Sequence, residues 1–274
     1  MSDVGLRQAR GRFLFFFHDA LPKGDGCCTP RTVHSDRIVV VTTEYEWIME
    51  YKWLLFDADG TLFDFDRAEA SALCKTLGQF GVPFTPEHLS TYQRINKHLW
   101  RALENGLITP GVLGVRRFEL FFEELQLDLS PHSFSPTYLV QLGTCSELIA
   151  GAVEILQALH TRYQLAIVTN GLKAVQRSRL SCSPIREYIA EMVISEEVGA
   201  SKPDRAIFDA AFERIGRPLK SEVLMIGDSL TSDIEGGYRY GVDTCWYNPT
   251  NQSQSLGLEI TYQIRNLGEL ADLL

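Results

Sequence analysis

The stretch Trp53-Leu54-Leu55-Phe56-Asp57-Ala58-Asp59-Gly60-Thr61 decides how this chain is read. Four consecutive apolar residues are too few for a helix and are of the kind that a strand buried on both sheet faces requires. Two aspartates follow at once, with a glycine that permits a sharp turn. The same grammar recurs outward from this point. The apolar run 165–168 leads into Thr169-Asn170-Gly171, and 192–194 leads through a short loop into Ser201-Lys202-Pro203-Asp204. The run 223–226 leads into Gly227-Asp228-Ser229, with Asp233 five residues beyond Asp228. Residues 244–247 read as a fifth strand and 260–264 as a short edge element. Helical patterns lie between them at 152–163, 172–180, 205–215 and 230–240. Strands alternating with helices of this length predict an α/β fold, a parallel sheet core flanked by helices on both sides.

The stretch 67–145 breaks the rhythm. It reads as helices over 67–80, 87–105, 111–125 and 136–142, punctuated by Pro83, Pro86, Pro110 and Pro131. An all-helical insert after the first strand predicts a second, smaller module. Residues 1–48 show no sustained pattern that could bury a core, and they carry six basic and six acidic residues. They are expected to form a poorly ordered extension, which would lie upstream of a natural start at Met49. The expected organisation is therefore an α/β core from 49–66 and 146–274, with the helical module at 67–145.

Composition narrows the function. The chain has 274 residues, 45% hydrophobic and 22% charged, which is ordinary globular usage. Lys and Arg number 26 against 35 Asp and Glu, a net charge of −9 that disfavours binding to nucleic acid. No apolar stretch approaches the roughly 18 residues of a membrane span, and the basic residues are dispersed rather than clustered. A membrane partner is therefore not expected. The apolar run 13–17 meets His18 and Asp19 before it reaches the length of a signal core. Six cysteines form no CxxC pair, and a chain this long needs no disulfide framework, so a reduced cytoplasmic protein is expected. The histidines show no metal-ligand spacing, which argues against zinc. Monomer and dimer stay equally open.

In open α/β sheets ligands bind at the carboxyl ends of the strands, so the four polar clusters converge on one edge. Asp57, Asp59, Asp228 and Asp233 would gather there with Lys202 as the one obvious cation. Carboxylates so placed repel one another unless a cation holds them. Carboxylate oxygens and water suit Mg²⁺, with Mn²⁺ as a possible substitute, and all four aspartates are candidate ligands. An acidic cluster with Mg²⁺ and a lysine is built for a phosphoryl group. The Thr169 hydroxyl and the N–H groups of Asn170 and Gly171 would cradle the anion where a helix begins. Gly60 would let the backbone approach it, and Thr61 would orient the nucleophile or the phosphoryl oxygens. Asp57, at the strand end, can attack phosphorus, while Asp59, on the turn, can protonate the leaving oxygen and then deprotonate water. Lys202 would stabilise the charge of Asp57 and the transferring group. Each motif alone has a bland reading as a turn, a helix start or a cap. All four in this order, each behind its own strand, leave little room for coincidence.

The four motifs resemble those of the haloacid-dehalogenase-like hydrolase superfamily over residues 49–274. That resemblance implies a Rossmann-like core, Mg²⁺, an aspartyl-phosphate on Asp57, and a helical cap at 67–145 that closes over the site and selects substrate. Members that cleave carbon–halogen bonds lack the second aspartate, so Asp59 implies phosphate ester hydrolysis. Asn96-Lys97-His98-Leu99-Trp100, Asn105-Gly106-Leu107-Ile108-Thr109 and Ile194-Ser195-Glu196-Glu197-Val198-Gly199 further resemble the bacterial pyrimidine 5′-nucleotidases of this superfamily. Their substrates, nucleoside monophosphates such as UMP, dUMP and dTMP, make a nucleotide the implied partner and clearance of abnormal nucleotides the implied role. The tract at 180–185 departs from the pattern, because Pro184 ends a helix expected to run on into a Gly-containing turn. A phosphatase for phosphoglycolate or a sugar phosphate is the nearest alternative, followed by a phosphomutase. A non-catalytic phosphate-binding protein is the alternative from another class.

A nucleoside leaving group needs a flat apolar slot with one or two polar contacts. Phe63 and Phe65 after the first loop, and Trp100 and Phe118 in the helical module, could form it, with Asn96 and Lys97 as polar contacts. Packing of the module's own core is at least as good a reading for Trp100 and Phe118.

Overall fold

Alternation along the first strand sets the two faces of the fold, which the computed structural model describes for residues 51–254 and 257–274. In β1 (Trp53–Phe56), Leu54 and Phe56 face one side of the sheet and Leu55 the other. The same two-residue period recurs in β2 (Gln164–Thr169), β3 (Ile189–Ile194) and β4 (Val223–Gly227). Thus Leu165, Ile167, Leu224 and Ile226 join the first face, while Ala166, Val168, Val223 and Met225 join the second. With β5 (Asp243–Tyr247) and β6 (Tyr262–Ile264) the strands form one parallel sheet in the order β3-β2-β1-β4-β5-β6. Leu54 sits in register with Leu165 on one side and Leu224 on the other. The extension expected over 1–48 lies outside the described residues.

Between β1 and β2 run α1 (Phe65–Gln79), α2 (Pro86–Glu104), α3 (Pro110–Leu125), α4 (Pro131–Gly143) and α5 (Ala152–Leu159). The later crossovers carry α6 (Lys173–Ser181), α7 (Ser195–Val198), α8 (Arg205–Arg214) and α9 (Glu235–Tyr240), and α10 (Leu270–Leu273) follows β6. Helix α5 and the C-terminal Leu267 and Leu270 cover the first sheet face. Ile207, Phe208 and Ala211 of α8 cover the second. This two-sided covering is why the strands read as continuous apolar runs.

The helices α1 to α4 bury a core of their own. Tyr92, Phe118, Phe121, Phe122, Phe134 and Tyr138 pack together, with the rings of Tyr92 and Phe118 stacked at 5.5 Å. Proline opens α2, α3 and α4, where its missing N–H costs nothing. The Thr85 and Thr109 side chains cap the first two by accepting the N–H groups of His88 and Val112. Helix α4 therefore starts at Pro131, ahead of the expected 136. Pro136 lies inside it, one turn past its start, where the helix continues without the hydrogen bond its N–H would make.

A polar line threads this aromatic core. Asn96 Nδ2 donates to Glu69 Oε1 at 2.8 Å, and Arg117 Nη1 donates to Asn96 Oδ1 at 3.3 Å. All three side chains are buried. Burial pushes the Glu69 carboxyl up to about 7, against the pull of its hydrogen bond from Asn96. Folded Glu69 then keeps a proton that the unfolded chain, near its ordinary 4.5, has released. Its share of stability is present below about pH 4.5 and declines as pH rises to 7. Urea titrations should show wild type losing roughly 3 kcal/mol relative to Glu69→Gln between pH 4.5 and 8. A difference that is flat with pH would refute this assignment.

Candidate active site

β1 and β4 are neighbours at the place where the strand order reverses, and there the sheet opens a crevice at its carboxyl edge. Asp57 follows β1, and Asp228 follows β4. Asp233 comes from the helical turn Leu230–Ile234 and folds back beneath the end of β4. That return is possible only because residue 227 is glycine. A Cβ there would stand 2.2 Å from Asp233 Oδ2. The buried Asp233 carboxylate instead accepts the Ser229 N–H at 3.0 Å. Asp228 is fixed from several sides. Thr61 Oγ1 donates to its Oδ1 and accepts its backbone N–H, both at 3.1 Å, and Trp246 Nε1 donates to its carbonyl at 2.9 Å. Gly60, with φ of +87°, passes so close that a Cβ would lie 2.7 Å from Asp228 Oδ2.

Carboxylate oxygens of Asp57, Asp228 and Asp233 all come within 4.8 Å of one another. One ammonium answers them. Lys202, 1% exposed, places Nζ 2.5 Å from Asp57 Oδ1, 2.7 Å from Asp233 Oδ1 and 2.5 Å from the Val168 carbonyl. Its backbone is gripped by Asn170, whose Oδ1 accepts the Lys202 N–H at 2.7 Å and whose Nδ2 donates to the Lys202 carbonyl at 2.9 Å. Burial works to discharge the ammonium, but Asp233 and Asp57 outweigh it and hold the pKa above that of an ordinary lysine. Burial pushes Asp57 well above the usual carboxylate range; Lys202 opposes this, and Asp233 and Asp228 add to it. Burial and the Asp233 charge push Asp228 up to about 7. Three carboxylates facing one ammonium leave a negative excess in a water-poor place. Hard oxygen donors so crowded fit a hard divalent cation, which would lower these pKa values again.

Asp59, read from sequence as a fourth member of the cluster, has its carboxylate elsewhere. It turns to α6, where Oδ2 accepts Gln176 Nε2 at 2.6 Å and Oδ1 pairs with Nη1 of the fully buried Arg179. There it lines a cavity of about 170 Å³, together with Phe65, Trp100, Glu104, Asn170 and Val175. The cavity therefore reaches from Asp59 to residues of the helical module.

Several expected phosphate contacts are engaged by the protein itself. Gly171 N–H donates to Ser195 Oγ at 3.0 Å, and Thr169 Oγ1 accepts Gln176 Nε2 at 3.2 Å. The Asn170 amide holds Lys202 and also donates to Glu104 Oε1 at 3.2 Å. Thr61 orients Asp228 rather than Asp57. Of the five residues expected to select substrate, Trp100 lines the cavity. Phe63 is fully buried beneath the Arg179 guanidinium, 4.6 Å from its ring centre. Phe118 belongs to the aromatic core, Asn96 sits between Glu69 and Arg117, and Lys97 is exposed.

Residues 51–241 match the family model of the haloacid dehalogenase-like hydrolases. The chain belongs to that family. It is 39% identical over 226 residues to the pyrimidine 5′-nucleotidase YjjG of Escherichia coli, covering 82% of this chain and 99% of that protein. It is 36% identical to the pyrimidine 5′-nucleotidase PynA of Streptococcus pneumoniae, covering 82% and 96%. Among solved structures it resembles the magnesium-bound HAD-hydrolase YfnB of Bacillus subtilis, with a TM-score of 0.77 and 36% identity over 82% of this chain and 99% of that one.

Sequence reasoning about this hydrolase missed Gln176 and Arg179, the partners of Asp59, along with Glu104 and Arg117. A signal for the first two was present. Val175, Gln176 and Arg179 share one helical face by their spacing, and polar residues on a face that otherwise packs inward mark a buried contact. The tight fit at residue 227 yields a test. In Gly227→Ala the added methyl should displace Asp233, so Mg²⁺ should raise the melting temperature of wild type but not of the variant. An equal rise in both would show that Asp233 is not needed for the cation.

Proposed function

We propose that the protein is a Mg²⁺-dependent phosphatase that hydrolyses pyrimidine nucleoside 5′-monophosphates, such as UMP, dUMP and dTMP, through an aspartyl-phosphate on Asp57. The observation that carries this reading is the division of labour between the two aspartates. Asp57 lies within the acidic cluster against Lys202, while Asp59 lies at the mouth of the cavity where a leaving group would sit. In the first step a carboxylate oxygen of Asp57 attacks phosphorus. The bond from phosphorus to the sugar oxygen breaks, and that oxygen takes the Asp59 proton to leave as the nucleoside hydroxyl. In the second step water attacks the phosphorus of phospho-Asp57 and gives a proton to Asp59. The Asp57–phosphorus bond breaks, restoring the carboxylate and releasing inorganic phosphate. Mg²⁺ held by Asp57, Asp228 and Asp233 would supply positive charge against the phosphoryl oxygens. Lys202 adds its ammonium to the same task, and Asn170 keeps it in place.

The substrate class rests on the cavity and the relatives. Trp100 and Phe65 offer flat apolar walls, with Leu142, Leu172 and Val175 around them. A cavity of about 170 Å³ is below the roughly 300–1,000 Å³ of sites for drug-sized ligands, which suits a small leaving group such as a nucleoside. Two relatives matched over nearly their whole length are pyrimidine 5′-nucleotidases. The module at 67–145 acts as a cap on this reading, and the related YfnB structure reveals interdomain movement. No helix among the described residues is long and apolar enough to cross a membrane, and the four described cysteines are unpaired, in keeping with work in a reducing cytoplasm.

Phosphate release from a panel of pyrimidine and purine monophosphates, phosphoglycolate and sugar phosphates tests the reading. UMP, dUMP or dTMP should lead in kcat/KM, removal of Mg²⁺ with a chelator should abolish turnover, and Asp57→Asn should cost at least about 1,000-fold in kcat. A lead for phosphoglycolate or a sugar phosphate would keep the chemistry and discard the substrate. Activity that survives in Asp57→Asn would discard the covalent step.

A further inference from the structure

The cavity has a second wall that the reaction leaves unexplained. Arg117 of α3 lines it, yet is only 2% exposed. Its guanidinium lies 5.1 Å from the ring centre of Phe118 and 5.0 Å from that of Tyr138. Nη1 donates to Asn96 Oδ1, and Asn96 in turn donates to Glu69. Nε and Nη2 are shielded from water and have no hydrogen-bond partner among the described residues. Buried donors without acceptors are costly, and a guanidinium held by one corner keeps two donor groups for a partner that arrives later.

What could arrive is restricted by the surroundings. Trp100, Phe65, Leu142, Leu172 and Val175 supply the apolar part of the cavity lining, which suits a flat, largely apolar ring. The acidic side chains of Asp59 and Glu104 line the same cavity, so the edge calls for a neutral acceptor more than for another anion. Resting on the nucleotidase reading above, we propose that Arg117 is the specificity-determining residue that reads the pyrimidine ring, donating Nε–H and Nη2–H to a ring carbonyl oxygen. Asn96, expected to touch substrate itself, is on this view the residue that positions Arg117.

The decisive comparison is UMP against ribose 5-phosphate, which keeps the reacting phosphate and sugar and lacks the base. A site built to hydrogen-bond a group discriminates strongly against an analogue without it. Wild type, Arg117→Lys and Arg117→Met should be compared as full-length protein with Mg²⁺. The ratio of kcat/KM for UMP to that for ribose 5-phosphate should fall at least about 10-fold in both variants, mainly through KM for UMP. Turnover of ribose 5-phosphate should stay within about 3-fold, since no reacting atom is touched. Asn96→Ala should lower the same ratio by less. If Arg117→Met does not fold, Arg117→Lys decides, because it keeps the charge and removes the forked edge. A ratio unchanged in Arg117→Lys, or an equal loss on both substrates, overturns the proposal. A larger loss for phosphoglycolate than for UMP would make Arg117 an anion reader and overturn it too. A wild type that does not prefer UMP to ribose 5-phosphate would instead sink the nucleotide reading from which this inference starts.

Discussion

The ammonium of Lys202 is the contact on which the rest of the catalytic edge depends. Asp57 comes from the first strand and Asp233 from a turn after the fourth, and neither could stay ionised so near the other without it. Breaking a buried pair of this kind leaves an uncompensated charge in a place that water does not reach. The rest of the loop architecture serves that ammonium. Asn170 grips its backbone from both sides, Val168 accepts its third hydrogen bond, and Gly227 opens the space that Asp233 occupies. A cluster still negative after Lys202 is counted fits a hard divalent cation.

Asp59 shows how two neighbouring aspartates acquire different surroundings. Two residues of chain carry it out of the buried cluster and into the reach of α6, where Gln176 and Arg179 hold it. Arg179 is fully buried, donates to the Cys145 carbonyl at 2.9 Å, and covers the Phe63 ring. A single arginine thus ties the catalytic loop, the end of the helical module and the first helix after β2 into one unit. The cavity lies beside this knot, so Asp59 and its partners Gln176 and Arg179 form part of its wall.

The helical module solves a separate packing problem with its own aromatic core, and it does so around a line of buried polar residues. Glu69, Asn96 and Arg117 are an odd choice for stability alone, since apolar residues of similar size would often serve as well. Their presence, with Arg117 lining the cavity and two of its donor groups unpartnered among the described residues, suits a chemical part for the module on the proposal made above.

Strand positions, helix order and the gathering of polar motifs at one sheet edge were legible in the sequence because each rests on local rules. A strand buried on both faces must be continuously apolar, a helix must follow a 3.6-residue period, and polar residues right after such strands must gather at one edge. Asp57 and Asp228 meet for that reason, while Asp233 and Lys202 join them through the turn at Gly227 and the grip of Asn170. The start of α4 was misplaced because Pro131 opens a helix while Pro136 is tolerated inside it, a choice that local rules leave undecided. What only the tertiary structure decided is the direction in which each side chain points once helices pack against loops. Asn96, Phe63 and Phe118 read as ligand contacts and proved to be interior, whereas Arg117, Gln176 and Arg179 gave no motif and reached the cavity. Motifs record the chemistry that a strand end imposes. A cavity wall is assembled from residues distant in sequence, and which face of a helix borders it depends on the packing of every helix around it.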